Sequence, residues 1–286
     1  MFSVLKNVVT LRKNYTNKIM EYTYKYPHPA VAADCVVFGF DGSELKVLLI
    51  ERGLEPYKGM WAFPGGFMKI DESAEQCAVR ELVEETGLKL TYLEQLKAFS
   101  GVCRDPRERV ISVAFYALVK SSEVKGGDDA AQAQWFPVDK VPQLAFDHDY
   151  ILREAMKKLR QDIHFNPVGF DLLDEDFTMP QLQRLYEAIL GVHFDRRNFQ
   201  KKMLQLGLVE PADEDETTAP RRYGLHSEMR EYNINALFGE EDMCCESTAS
   251  YGTREQTTLG RKGRKFRFNK EKYDEMKKKG IFRIEF

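Results

Sequence analysis

The chain has 286 residues, 43% hydrophobic and 30% charged, with 42 Lys and Arg against 45 Asp and Glu for a net charge of -3. This composition excludes a disordered polyelectrolyte, and no apolar run reaches the length of a membrane span, so two domains with ordinary cores are expected. The cysteines, Cys35, Cys77, Cys103, Cys244 and Cys245, are odd in number and lack C-x-x-C spacing, which argues against a disulfide framework or a zinc site and fits a cytoplasmic protein.

Residues 1–25 read as an N-terminal extension, expected to be disordered. The first nineteen carry Lys6, Arg12, Lys13 and Lys18 without an apolar core and cleavage site. Val31 to Phe40 is an apolar β-branched run, Asp41-Gly42 supplies a turn, and Leu45 to Ile50 is a second run ending at Glu51-Arg52. Together they predict a hairpin feeding a mixed sheet. The Pro64-Gly65-Gly66 loop permits close approach of backbone to a ligand. Asp71 or Ser73 can cap the helix that follows, and Gly87 ends it. Further strands are predicted at Leu88 to Leu96 and Val110 to Val119, a short last one at Trp135-Phe136-Pro137, and a closing helix carries Ile151, Leu152, Ala155, Met156 and Leu159.

Within this region Gly66 to Leu88 reads G-F-M-K-I-D-E-S-A-E-Q-C-A-V-R-E-L-V-E-E-T-G-L. On a helix Glu81, Glu84 and Glu85 crowd one stripe, where like charges repel unless a cation lies among them. Oxygen ligands of this kind select Mg2+ or Mn2+ over zinc. An isolated R-E-x-x-E-E would be an ordinary acidic helix; Gly66, Glu72 and Gly87 at fixed offsets turn it into a metal-helix signature. The run matches G-x5-E-x7-R-E-U-x-E-E-x-G-U (U aliphatic) at every fixed position and resembles the Nudix family.

That resemblance implies an α/β/α sandwich with a mixed sheet over 26–163, and a metal-dependent pyrophosphohydrolase acting on a nucleoside diphosphate linked to another group. It implies metal ligation by Glu81, Glu84 and Glu85, a backbone carbonyl from Gly66, support from Glu72, and a glutamate oriented by Arg80. For the substrate, Arg52, Arg104, Arg107 and Phe67 are the candidates. Arg104-Asp105-Pro106-Arg107 is equally readable as a solvated turn, and Trp61, Phe63 and Phe67 as core packing rather than a stacking platform. Glu123, Asp128 and Asp129 sit in a loop of the kind that supplies a general base, with nothing to choose among them.

From 164 to 286 the elements change. Thr178 and Gln181 form a capping box before a helix stopped by Gly191; Asp195 caps a second, Arg196 to Leu206, stopped by Gly207. Leu208-Val209-Glu210 and Lys265 to Phe268 are strand candidates around a long polar insertion near 213–260, within which Glu228 to Phe238 is a possible helix. Arg196, Arg197, Asn198, Gln200 and Lys201 put cations and amides on a short helix, suited to base edges, and Arg261 and Arg264 belong to a basic wing suited to phosphates. A basic dimerisation surface is the alternative, and the acidic clusters of the insertion oppose DNA.

Phe146-Asp147-His148, Leu185-Tyr186-Glu187-Ala188-Ile189-Leu190-Gly191 and Asp195-Arg196-Arg197-Asn198-Phe199 are similar to Nudix regulators with a C-terminal winged helix-turn-helix. This resemblance implies an α+β chain in two domains, double-stranded DNA as partner, an ADP-ribose-like or sugar effector, and a homodimer. The competing expectation is a purely metabolic Mg2+-dependent pyrophosphohydrolase whose C-terminal domain dimerises or gates substrate.

Overall fold

The computed structural model describes residues 24–88, 90, 92–120, 130–212 and 264–279, together with two paired dipeptide strands, β1 (Asn14–Tyr15) and β2 (Lys18–Ile19). The remainder of the N-terminal extension, Glu123, Asp128, Asp129, the helix candidate at Glu228 to Phe238, the acidic clusters and Arg261 lie outside the described residues.

A sheet forms around β3 (Ala30–Phe40), whose β-branched and aromatic side chains are buried on both faces. It pairs antiparallel with β4 (Leu45–Arg52) and with β6 (Gly65–Phe67), and parallel with β8 (Val110–Lys120). The expected hairpin is present. Asp41 Oδ1 accepts the Ser43 and Glu44 backbone N–H groups at 2.9 Å, closing the turn at Gly42, whose φ of +93° suits glycine. β5 (Trp61–Ala62) and β9 (Ala130–Pro137) extend the sheet from β4, and β7 (Tyr92–Phe99) from β8.

Alternation along β3 sorts the side chains between two layers. Ala33, Cys35 and Val37 pack with Cys77, Ala78 and Leu82 of α1 (Ala74–Thr86). Val36, Phe38 and Phe40 face Ile151, Ala155 and Leu159 of α2 (His148–Phe165). Fully buried Leu82 contributes about 2–3 kcal/mol by burial. Ser73, rather than Asp71, is the N-cap of α1 and shares a capping box with Gln76; Gly87 ends it at φ 69°.

Two strands differ from expectation. Among the described residues the run predicted as a strand from Leu88 to Leu96 pairs from Tyr92, while Leu88 and Leu90 pack with Cys77, Ala78 and Leu82 of α1 in the core cluster beneath the sheet. Periodicity alone does not separate these two uses of an apolar residue. The short strand at Trp135-Phe136-Pro137 is the end of the eight-residue β9, whose Ala- and Gln-rich start is held by pairing with β4 rather than by propensity.

After α2 a 3-10 turn (Val168–Leu172) leads to β10 (Phe177–Thr178), α3 (Met179–Leu190), α4 (Arg196–Leu206), β11 (Val209–Pro211), β12 (Lys265–Phe268) and α5 (Lys270–Lys278). The strands form an antiparallel sheet ordered β10-β12-β11. Gln181 reaches back to the Thr178 N–H at 2.8 Å, and Asp195 Oδ1 accepts from Asn198 N at 2.9 Å. Leu182, Leu185, Tyr186 and Ile189 of α3 join the core cluster that includes α2 and the first sheet. Arg160 of α2 donates from Nε to the Ile189 carbonyl at 2.9 Å, at the end of α3. No helix among the described residues is long and apolar enough to cross a membrane.

Candidate functional site

The loop between β6 and α1 brings the acidic motif against the sheet. Gly65 N donates to Glu85 Oε2 at 3.0 Å, tying the loop to the last turn of the helix. A Cβ at Gly66 would come within 2.8 Å of both Glu81 carboxylate oxygens, so a side chain there would displace that carboxylate from its place beside the loop. Arg80 is the hub. Its Nε and Nη2 grip Glu72 as a fork at 2.9 and 2.7 Å, while Nη1 reaches Glu81 at 2.7 Å and Glu84 at 3.0 Å.

The helix separates the three glutamates. Glu85 and Glu81 face the loop and are largely enclosed, whereas the Glu84 side chain is 55% exposed. Burial raises the Glu81 pKa, with the Arg80 bond opposing it only in part. Burial would raise Glu72 as well, but the Arg80 fork and the Lys69 N–H outweigh it and hold that carboxyl below its usual range. Among the described residues, no three acidic, His or Cys side chains converge as a closed metal shell. The donor set nevertheless suits a hard divalent cation: carboxylates of Glu81, Glu84 and Glu85, the Gly66 carbonyl, and a cradle beside Glu81 that a methyl group would fill.

Gly65 and Gly66 also border a cavity of about 110 Å³, whose mouth is formed by Arg52, Phe67, Arg107 and Phe146. The Arg107 guanidinium lies 4.9 Å from the Phe67 ring centre and 5.6 Å from that of Phe146, and pairs with Asp105 at 2.7 Å. Arg52 sits 4.7 Å from the Phe146 ring; burial and then repulsion from Arg107 lower its pKa. Phe146 itself has φ +55°, a left-handed backbone unusual for an aromatic residue. At the floor Arg104 is buried and forked onto Asp147 at 2.7 and 3.1 Å.

All four substrate candidates, Arg52, Arg104, Arg107 and Phe67, therefore border one cavity. Trp61 packs against Phe136 at 4.8 Å, as core packing would have it, while Phe63 is buried in a stack on His148 at 5.0 Å and also lines the cavity. Asp105, from the candidate Arg104-Asp105-Pro106-Arg107 segment, also lines the cavity, as do Asp34, Phe146 and His148, which the sequence did not single out as site residues. Asp34 carried a usable signal, as the one acid within the Val31 to Phe40 run.

In the second domain Arg196, Arg197, Asn198 and Lys201 are exposed on α4, with Gln200 half-buried. Arg264 stands beside β12, and with Arg196 and Gln200 it borders an apolar groove of about 400 Å³.

A NUDIX domain model matches residues 28–158, and a model of the NrtR DNA-binding winged helix domain matches residues 169–224. The chain is 30% identical over 237 residues to the ADPR responsive transcriptional repressor NtrR of Acinetobacter baylyi, covering 79% of this chain and 95% of that one. It is 41% identical over 150 residues to the ADP-ribose pyrophosphatase of Methanocaldococcus jannaschii, covering 51% of this chain and 86% of the relative. The crystal structure of Shewanella oneidensis NrtR matches with a TM-score of 0.57 at 32% identity, covering 66% of this chain and 90% of that one. The same protein complexed with a 27mer DNA gives 0.55 at 30%, covering 67% and 90%. The chain thus belongs to the Nudix family, in the branch that carries an NrtR-type DNA-binding winged helix behind the Nudix domain.

Proposed function

We propose that this protein is a DNA-binding regulator whose Nudix domain takes ADP-ribose or a closely similar nucleoside diphosphate sugar, and that it retains Mg2+-dependent hydrolysis of that ligand. The observation that carries the regulatory reading is the placement of α2. His148, the first residue of the helix, lines the cavity, Asp147 before it holds the cavity residue Arg104, and Arg160 near the other end is bonded to the carbonyl that ends α3. A ligand contacting this helix better in one arrangement than another shifts the DNA-binding domain by that difference in affinity. Exposed Arg196, Arg197, Asn198 and Lys201 on α4 supply base-edge and phosphate contacts, and Gln200, Arg261 and Arg264 complete the DNA-binding set. A homodimer places two such helices on half-sites about one helical turn apart.

The hydrolytic part rests on the complete acidic motif. Glu81, Glu84, Glu85 and the Gly66 carbonyl would hold Mg2+ or Mn2+, and the cation's chemistry when bound is to neutralise phosphate oxygens and acidify water. The protein's own part is positional. Glu72 fixes Arg80, Arg80 fixes Glu81, and Gly65 N fixes Glu85, so the carboxylates are held beside Gly65 and Gly66, which border the cavity where Arg52 and Arg107 would receive the diphosphate.

The test is binding of labelled promoter DNA from the protein's own gene neighbourhood, with and without ADP-ribose and Mg2+. Salt-sensitive binding released by ADP-ribose is expected. Indifference to that DNA at low salt would refute regulation, and absence of AMP release would refute hydrolysis.

A further inference from the structure

The chemistry at the floor of the cavity is narrower than the proposed function requires. The Phe63 backbone N–H donates to His148 Nδ1 at 3.0 Å, so the neutral imidazole carries its proton on Nε2. Burial keeps it in that form by lowering its pKa. Nε2 makes no hydrogen bond among the described residues; Asp34 Oδ2 is 3.8 Å away, too far for one. His148 is only 3% exposed, yet Nε2 is not sealed away from solvent, so it is open to a ligand entering the cavity that His148 lines. Opposite stands Asp34, 7% exposed, with Oδ2 accepting from the Ser112 hydroxyl. Its Oδ1 takes no hydrogen bond among the described residues and lies where a side chain on Gly65 would meet it at 2.7 Å, so only glycine fits beside it. Arg104 Nη2 comes within 3.6 Å of Asp34 while its fork stays on Asp147.

Donors thus face an acceptor across a small polar space. A phosphate or carboxylate offers only acceptors and would meet the Asp34 charge; an alkyl group would leave every one of these polar groups unpaired. A hydroxyl does both jobs, accepting from His148 or Arg104 and donating to Asp34. The whole cavity, mouth included, is about 110 Å³, well under the ~300–1,000 Å³ of sites for whole drug-sized ligands, so it encloses one ring of the ligand and leaves the rest outside. The base has another place. Phe67, 39% exposed under the Arg107 guanidinium, offers a stacking face, which is indifferent to base identity.

We infer that Asp34, His148 and Arg104 form a sugar subsite that binds the adjacent hydroxyls of a terminal pentose, so that this protein selects its ligand by the sugar and not by the base. The inference rests on the diphosphate-sugar reading above and names the half of the ligand that confers selectivity.

Titration calorimetry of the full chain with ADP-ribose, ADP and deaminated ADP-ribose (hypoxanthine in place of adenine) tests it. ADP-ribose should bind at least about tenfold more tightly than ADP, since a site built to bond hydroxyls rejects a ligand lacking them. The deaminated ligand should bind within about threefold of ADP-ribose, as stacking tolerates either base. His148→Asn keeps an acceptor for Phe63 N–H but removes the Nε2 donor, and should collapse the ADP-ribose to ADP ratio towards one. His148→Gln, which can still donate from its amide, should keep more of that ratio. If His148→Asn fails to fold, Asp34→Asn takes its place, and the wild-type ligand series decides by itself. A wild-type ratio near one, or a penalty for deamination equal to that for removing the sugar, would overturn the subsite while leaving the diphosphate reading intact. No binding by any of the three would overturn both.

Discussion

Replacing Arg80 by methionine isolates what holds the metal helix together. The side chain is only 11% exposed, as is that of its main partner Glu72, and Glu81 is 16% exposed. The substitution keeps most of the aliphatic stem but leaves two enclosed carboxylates without their cation. Breaking a buried pair in this way costs about 3–5 kcal/mol, chiefly by stranding the remaining charge. Glu84 adds little because it is more than half exposed. In a chain of this size each kcal/mol is worth roughly 2–4 °C, so the metal-free variant should melt about 6–20 °C lower. The informative measurement is the response to Mg2+. A divalent cation among Glu81, Glu84 and Glu85 takes over part of the lost neutralisation, so the melting temperature of Arg80→Met should rise more with Mg2+ than that of the wild type. Thermal unfolding by circular dichroism in EDTA and in Mg2+ reads both effects. Equal Mg2+ responses in variant and wild type would refute the idea that Arg80 and the cation neutralise the same carboxylates.

Glu81→Gln should abolish Mg2+-dependent AMP release from ADP-ribose while calorimetry still detects the ligand; persistent turnover would remove Glu81 from the metal set. Gly66→Ala should fold yet lose metal affinity, because its methyl group occupies the space of the Glu81 carboxylate; unchanged Mn2+ titration by electron paramagnetic resonance would contradict this. Because burial raises the Glu81 pKa, the folded protein holds that proton to higher pH than the unfolded chain does. Its contribution to stability is therefore fullest at acid pH and declines as pH rises through the folded value. Mg2+ affinity should run the other way, falling with acidification from above the ordinary glutamate value of about 4.3; a midpoint at or below that value would be inconsistent. Arg197→Ala should weaken promoter binding and reduce the magnitude of the salt slope by about one, measured by fluorescence anisotropy; an unchanged slope would take Arg197 off the phosphate backbone.

The local grammar of the chain was legible without coordinates. Ser73 with Gln76, Thr178 with Gln181, Asp195, Gly87, Gly191 and Gly207 mark helix ends by chemistry acting within four residues, and the helices begin and end there. The offsets from Gly66 to Glu85 likewise placed the acidic residues at one loop and helix, although the outward turn of Glu84 and the four-way grip of Arg80 needed the packed structure. Asp34, Phe146 and His148 were harder to find. Asp34 and His148 are more than a hundred residues apart and meet only because β3 and the start of α2 converge at the cavity, while Phe146 depends on a positive φ that its residue type disfavours.

By itself, then, the order of residues determined the family, the helix boundaries and the acidic metal motif, since each depends on interactions along a short stretch of backbone. Tertiary structure alone decided which polar groups share the cavity and where Leu88 and Leu90 are spent. It also decided that α2 joins the cavity to the helix-turn-helix. Those outcomes arise from contacts between distant segments, whose geometry is set by sheet register and core packing rather than by local preference.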